Sequence, residues 1–177
     1  IGAGFGGLKL AQKLVGSGYQ IVLIDKNNYH QFQPLFYQVA TSQLEPASIS
    51  FPLRHIFRGQ KNVQIRLAEV MEIDTVNQSI ATSIGPFTFD YLVIAVGCKT
   101  NFFGNAELSK HAFTLKTTYD AIAIRNHIIQ TFETVLSARE EEKESLLNLA
   151  IVGAGPTGVE LAGAFAEIKK HILPNDY

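Results

Sequence analysis

Apolar and polar positions along the chain switch between two periods. Leu8, Leu10, Ala11, Leu14 and Val15 follow a glycine-rich opening at helical spacing, which predicts a helix over residues 6–15 ended by Gly16-Ser17-Gly18. Ile21-Val22-Leu23-Ile24 is an unbroken apolar run closed by Asp25, the pattern of a parallel strand buried on both faces. Residues 27–52 are long, aromatic and irregular, holding Phe32, Phe36, Tyr37 and Phe51, and a connection of that length is expected either to cover a ligand or to pack into the core. Short strands are predicted over residues 63–68, 70–74, 79–82 and 87–89, with Gly85-Pro86 as a turn, and a further buried strand over residues 91–96 ending at Gly97. From residue 118, Ala121, Ile122, Ile124, Ile128, Ile129, Phe132, Val135 and Leu136 recur at three, four and seven, which predicts an amphipathic helix to about residue 139 with Thr117 or Thr118 as N-cap. The charge run at residues 139–144 reads as a solvated helix end or boundary. A strand over residues 148–152 and a helix over residues 159–172, stopped near Pro174, complete the pattern.

Composition narrows the classes that this pattern allows. With 177 residues, 46% hydrophobic and 18% charged, the chain can bury a real core, so disorder, fibre and stalk are excluded. Fifteen Lys and Arg against sixteen Asp and Glu leave a net charge of −1, which gives no basis for neutralising a nucleic-acid backbone. The only cysteine, Cys98, makes an intrachain disulfide impossible, fits a reducing compartment, and is expected to be a small apolar filler after a strand end. The five histidines show no metal-ligand spacing, and no metal is expected. No apolar run is long enough to span a bilayer, and this stretch of chain is expected to be soluble.

Two segments carry chemistry. Gly2-Ala3-Gly4-Phe5-Gly6-Gly7, with Leu10 and Ala11, repeats as Gly153-Ala154-Gly155-Pro156-Thr157-Gly158, with Leu161 and Ala162. Both are G-x-G-x-x-G turns: the first glycine permits the bend, the second lets backbone amides approach a pyrophosphate, and the third lets a helix pack on a sheet. The helix mouth then faces phosphate charge. After the first turn, Asp25 closes the next strand, where its carboxylate can accept from adenosine ribose hydroxyls and would repel a 2′-phosphate. Two such sites in one chain point to electron transfer from a nicotinamide to a second cofactor, for which a flavin is suited. Because the chain opens inside the first turn and closes soon after the second, the expectation is an internal piece of a longer protein that retains a flavin poorly and turns over little.

Longer stretches resemble a known family. Residues 29–41 (YHQFQPLFYQVAT), residues 90–97 (DYLVIAVG), Asn101-Phe102-Phe103-Gly104 and residues 153–162 together resemble type II NADH dehydrogenase, and the likeness covers nearly the whole chain. The resemblance implies an α/β flavoprotein with two Rossmann-like dinucleotide-binding domains: an FAD-binding domain over residues 1–110, without its first strand, and the start of an NAD-binding domain over residues 111–177. It implies an FAD-dependent enzyme of the respiratory chain that passes hydride from NADH to flavin and electrons to quinone. Such enzymes attach to the cytoplasmic face of the membrane through C-terminal elements absent here, and a homodimer is expected.

By the same resemblance, Gly2, Gly4, Phe5, Gly6 and Gly7 hold the FAD pyrophosphate, with Asp25 on the ribose and Lys26 beside it. Val70 gives a backbone contact to adenine, and Pro34 and Gln38 lie in the segment near the isoalloxazine ring. Ala95 and Gly97 stand where the wider superfamily has Ala-Thr-Gly; here it is Ala-Val-Gly, without the hydroxyl. Gly153, Gly155, Pro156, Thr157 and Gly158 bind NADH, and Glu160 resembles the family's glutamate near nicotinamide and flavin. A carboxylate in the first helical turn is favoured by the helix dipole anyway, but the matching residue of the first motif is Lys9, so the fold does not require an acid there. The stretch from Lys26 to Pro52 lacks the cysteine pair of disulfide reductases, so electrons are expected to leave the flavin directly. Two alternatives remain open: an NADH-dependent flavoprotein reductase with another acceptor, or a non-catalytic nucleotide-binding or self-associating module.

Overall fold

The structure, a computed structural model, describes residues 1–173. Its elements in chain order are α1 (Phe5–Lys13), β1 (Ile21–Asp25), β2 (Tyr29–Gln31), α2 (Phe36–Ala40), β3 (Ser50–Pro52), α3 (Leu53–Ile56), β4 (Val63–Leu67), β5 (Val70–Asp74), β6 (Ser79–Thr82) and β7 (Gly85–Thr88), followed by four helices. These are α4 (Ala106–His111), α5 (Thr118–Ser137), α6 (Glu140–Leu146) and α7 (Pro156–Glu167). The chain divides into two compact units, the first from Ile1–Gln31 and Ser50–Lys99, the second from Phe32–Ile49 and the described chain from Thr100 on.

In the first unit, β1 pairs in parallel with β4, from Ile21 opposite Val63 to Asp25 opposite Leu67. Helix α1 follows the glycine turn and brings Ala11 into one apolar cluster with Ala3, Leu23, Leu53, Phe57, Val63 and Ile65. On the other edge of β1 the Gly2 amide donates to the Ile24 carbonyl at 2.8 Å. Burial of β1 on both faces was expected, but Val22 is 38% exposed and the strand is covered chiefly at Leu23 and Ile24. Strands β5, β6 and β7 form an antiparallel meander whose Ile80 packs with Ile24 and Ala68. Gly85 and Pro86 open β7 instead of forming the turn; among the described residues β7 pairs with β6 alone, and an edge strand tolerates a proline.

Two predicted strands do not form as strands. Residues 91–96 carry no strand; among the described residues their backbone joins Ile1, whose nitrogen donates to Val93 O at 2.7 Å and whose carbonyl accepts from the Ala95 amide at 2.8 Å. One paired residue does not make a ladder, and Val96 stays 65% exposed. Residues 148–152 are likewise without a neighbouring strand among the described residues, and Val152 is 75% exposed. Cys98 is exposed, so it is no apolar filler.

The segment expected to be irregular, residues 27–52, is closed at its ends by antiparallel pairing of β2 with β3, His30 opposite Phe51. What lies between belongs to the second unit, where Phe36, Val39 and Ala40 of α2 pack with Ile49 and with Ala121 and Ile124 of α5. Thr117 is the N-cap of α5: its hydroxyl accepts from the Asp120 amide and its own amide donates to the Asp120 carboxylate, both at 3.0 Å, a reciprocal box. The charge run at residues 139–144 contributes to a helix of its own, α6. Helix α7 passes into a π-helical segment, Ile168–Ile172, and Pro174, the expected stop, lies outside the described residues. No described helix is long and apolar enough to cross a membrane.

Leu53 is fully buried in the α1–β1–β4 cluster, although no sequence period marked it. Leu53→Ala is expected to cost about 2–5 kcal/mol through lost burial and the cavity left behind, read as a lower urea midpoint at unchanged m-value.

Candidate nucleotide-binding sites

Both glycine turns are built the same way. The first glycines, Gly2 and Gly153, have φ of +94° and +112°, a region that L side chains avoid. A Cβ on either third glycine, Gly7 or Gly158, would collide with the carbonyl oxygen of the first glycine of its own turn. That absence of side chains brings the helix against the preceding backbone. The second glycines differ in kind: Gly4 and Gly155 have φ of −69° and −73°, ordinary for any residue, and a Cβ on either would meet nothing within 4 Å. Each is the N-cap of its helix, α1 or α7, and accepts the first intrahelical bond, Leu8 N–H to Gly4 O at 2.9 Å and Val159 N–H to Gly155 O at 3.1 Å. In α1 the Gly6 amide lies ahead of that bond, at the positive end of the helix dipole.

Asp25 sits at the C-terminal end of β1. Its Oδ2 accepts from the Ala3 amide and its Oδ1 from the Asn27 amide, both at 2.7 Å. The carboxylate therefore holds the glycine turn, and since an ionised carboxylate has about four lone-pair sites, it still has acceptor capacity for a ribose hydroxyl. Ala3 is held from its carbonyl side as well: His30 of β2, buried at 6% exposure, places Nδ1 3.0 Å from Ala3 O. The Phe5 ring meets the His30 ring edge-on at 5.2 Å.

The first unit thus gathers Gly2, Gly4, Phe5, Gly6, Gly7 and Asp25 around one helix mouth, with the Ala95 carbonyl packed against Gly2. Val70, half-buried, opens β5 shortly after Ala68, whose amide donates to Asp25 O at 3.0 Å, while Lys26 and Gly97 are exposed. Pro34 and Gln38 lie in the second unit, where the Gln38 side-chain amide donates to the Tyr37 hydroxyl at 3.2 Å. Gly153, Gly155, Pro156 and Thr157 are exposed at the head of α7, with Gly158 half-buried behind them. Glu160 is exposed and lies one turn later than expected: α7 starts at Pro156 and its first turn holds no acid, so the helix dipole does not explain the carboxylate. The sequence reading passed over His30, because nothing in a lone histidine signals a contact with a backbone carbonyl 27 positions away.

A mixed α/β chain with two glycine turns, each opening a helix and each leaving its second glycine uncovered, is a dinucleotide-binding protein of the Rossmann-like class. The profile of the family described as pyridine nucleotide-disulphide oxidoreductase matches residues 1–173. The chain belongs to that family. It is 40% identical over 178 residues to the type II NADH:quinone oxidoreductase Ndh of Mycobacterium tuberculosis, across 98% of this chain and 38% of the relative. It is 34% identical to the external alternative NAD(P)H-ubiquinone oxidoreductase B1, mitochondrial, of Solanum tuberosum, across 92% of this chain and 30% of that protein. Among solved structures, NDH2 from Plasmodium falciparum in complex with NADH superposes with a TM-score of 0.92 at 28% identity, covering 99% of this chain and 38% of that one. The chain spans well under half the length of these relatives.

The two kinds of glycine are separable by mutation. Gly7→Ala or Gly158→Ala is expected to cost about 1–3 kcal/mol of stability through overpacking, whereas Gly4→Ala or Gly155→Ala costs less than about 1 kcal/mol, the loss at an N-cap. Urea unfolding measures both, and equal losses would contradict the assignment.

Proposed function

We propose that the chain is the nucleotide-binding portion of an FAD-dependent NADH:quinone oxidoreductase, with FAD at the first glycine turn and NADH at the second. The observation that carries this reading is the pair of glycine turns of one build, each with its second glycine as the N-cap of a helix and its third glycine against the carbonyl of the first. Backbone amides at such a helix mouth suit a pyrophosphate. The names of the relatives, NADH:quinone and NAD(P)H-ubiquinone oxidoreductases, supply donor and acceptor.

In this reading Gly4, Phe5, Gly6 and Gly7 present the α1 mouth to the flavin's phosphates, Gly2 makes the bend, and Asp25 accepts from the ribose while steadying the turn. Lys26 flanks the ribose, Val70 offers its backbone to the adenine, and Ala95 and Gly97 line the approach of the flavin. Pro34 and Gln38 border the isoalloxazine. Gly153, Gly155, Pro156, Thr157 and Gly158 present the α7 mouth to NADH, and Glu160, exposed on α7, orients the nicotinamide. A bound flavin supplies a hydride acceptor that returns electrons singly or in pairs. Residues 1–110 serve as the FAD-binding domain and residues 111–177 open the NAD-binding domain. Attachment to the cytoplasmic face of the membrane and assembly as a homodimer belong to the same proposal.

Titrating the full-length protein, freed of cofactor, with FAD is expected to quench flavin fluorescence saturably, and Gly4→Ala to weaken that binding; a flavin signal unchanged by the protein would overturn the reading. In the full-length protein, Glu160→Gln is expected to slow reduction of bound FAD by NADH about tenfold or more through misplacement of the reacting ring, with FAD affinity unchanged. Stopped-flow absorbance of the flavin reports that rate.

A further inference from the structure

We infer that His30 is a positioning residue for the first glycine turn, setting the direction of the Gly4 amide through a hydrogen bond to the carbonyl of Ala3. The inference rests on the reading of that turn as the FAD pyrophosphate site. Nδ1 of His30 lies 3.0 Å from Ala3 O. A carbonyl has no hydrogen to give, so Nδ1 carries the hydrogen and donates it. The Ala3 carbonyl and the Gly4 amide belong to one planar trans peptide, in which C=O and N–H point in opposite directions. Holding the carbonyl toward His30 therefore aims the Gly4 N–H away from it. The neighbouring peptide plane is fixed independently, by the Ala3 amide donating to Asp25 Oδ2 at 2.7 Å.

Both side chains thus act on the one buried residue that separates the bend at Gly2 from the N-cap at Gly4. The His30 ring is itself held in place, buried at 6% exposure and set edge-on to Phe5 at 5.2 Å. An apolar residue would fill such a site without bringing polar atoms out of water, so the imidazole is accounted for by the bond it makes. A turn whose amide is already aimed loses less freedom when the dinucleotide binds, and that difference appears as affinity.

The test compares His30→Asn, whose side-chain amide places a donor near the Nδ1 position, with His30→Phe, which fills the space without one. FAD affinity from fluorescence titration is expected to fall about tenfold or more in His30→Phe, the loss of one buried hydrogen bond, and to stay within about threefold of the parent in His30→Asn. Side-chain ¹⁵N spectra of the unsubstituted chain are expected to show His30 protonated at Nδ1. Should His30→Phe fail to fold, His30→Gln, whose amide reaches toward the Nε2 position, takes its place as the variant that binds poorly. Equal FAD affinity in all variants, a loss in His30→Asn as large as in His30→Phe, or a hydrogen on Nε2 alone would overturn the inference and leave the turn's assignment standing. The titrations use the full-length protein freed of cofactor, and no saturable FAD binding by its unsubstituted form would overturn both.

Discussion

The contact on which the rest of this structure depends is the approach of a helix's third glycine to the carbonyl of the first. At Gly7 and at Gly158 no atom stands between the helix backbone and the turn that feeds it, and a single methyl group would push the two apart. With that contact made, α1 starts at the end of the bend, and the second glycine caps it. The same contact recurs in two units with different surroundings, one beside a parallel strand pair and one among helices. The turn is therefore a property of its own six residues, and the surrounding fold only decides what is presented beside it.

The first turn has an additional layer. Asp25 and His30 grip the two backbone groups of Ala3 from β1 and β2. Among the described residues no side chain bonds the backbone of Ala154, the matching residue, and yet the φ of its first glycine and the glycine contact are kept. The grip is thus not what shapes the bend. It restrains an already formed bend.

How much of this was legible in the sequence depends on whether a feature is local. The glycine turns, the period of α5 and its cap at Thr117 are written in neighbouring residues, and they were readable with nearly correct limits. Residues 91–96 and 148–152 have the composition of buried strands, but a strand exists only with hydrogen-bonded neighbours, and apolarity alone does not supply them. The place of Glu160 was misread by one turn because the helix start is set by Pro156 at its first position and Gly155 as its cap, not by the apolar run that follows. His30 was invisible for a different reason: its meaning lies wholly in a contact with a distant carbonyl.

The aromatic stretch between β2 and β3 shows how packing divides a segment that composition treats as uniform. Pairing of β2 with β3 brings the ends of the excursion together, so what lies between is free to form its own short helix. Helix α2 is barely longer than one turn and cannot be stable by itself; it exists because Phe36, Val39 and Ala40 fall on one side and pack with Ile49, Ala121 and Ile124. Phe36 is consequently core, which settles it on the packing side of the two expectations for these aromatics. Tyr37 and Gln38 fall off that face, half-buried and joined to each other through hydroxyl and amide. A short helix anchored by one side through apolar contacts holds the residues of its other side in place, so their order costs less than it would on an unanchored loop.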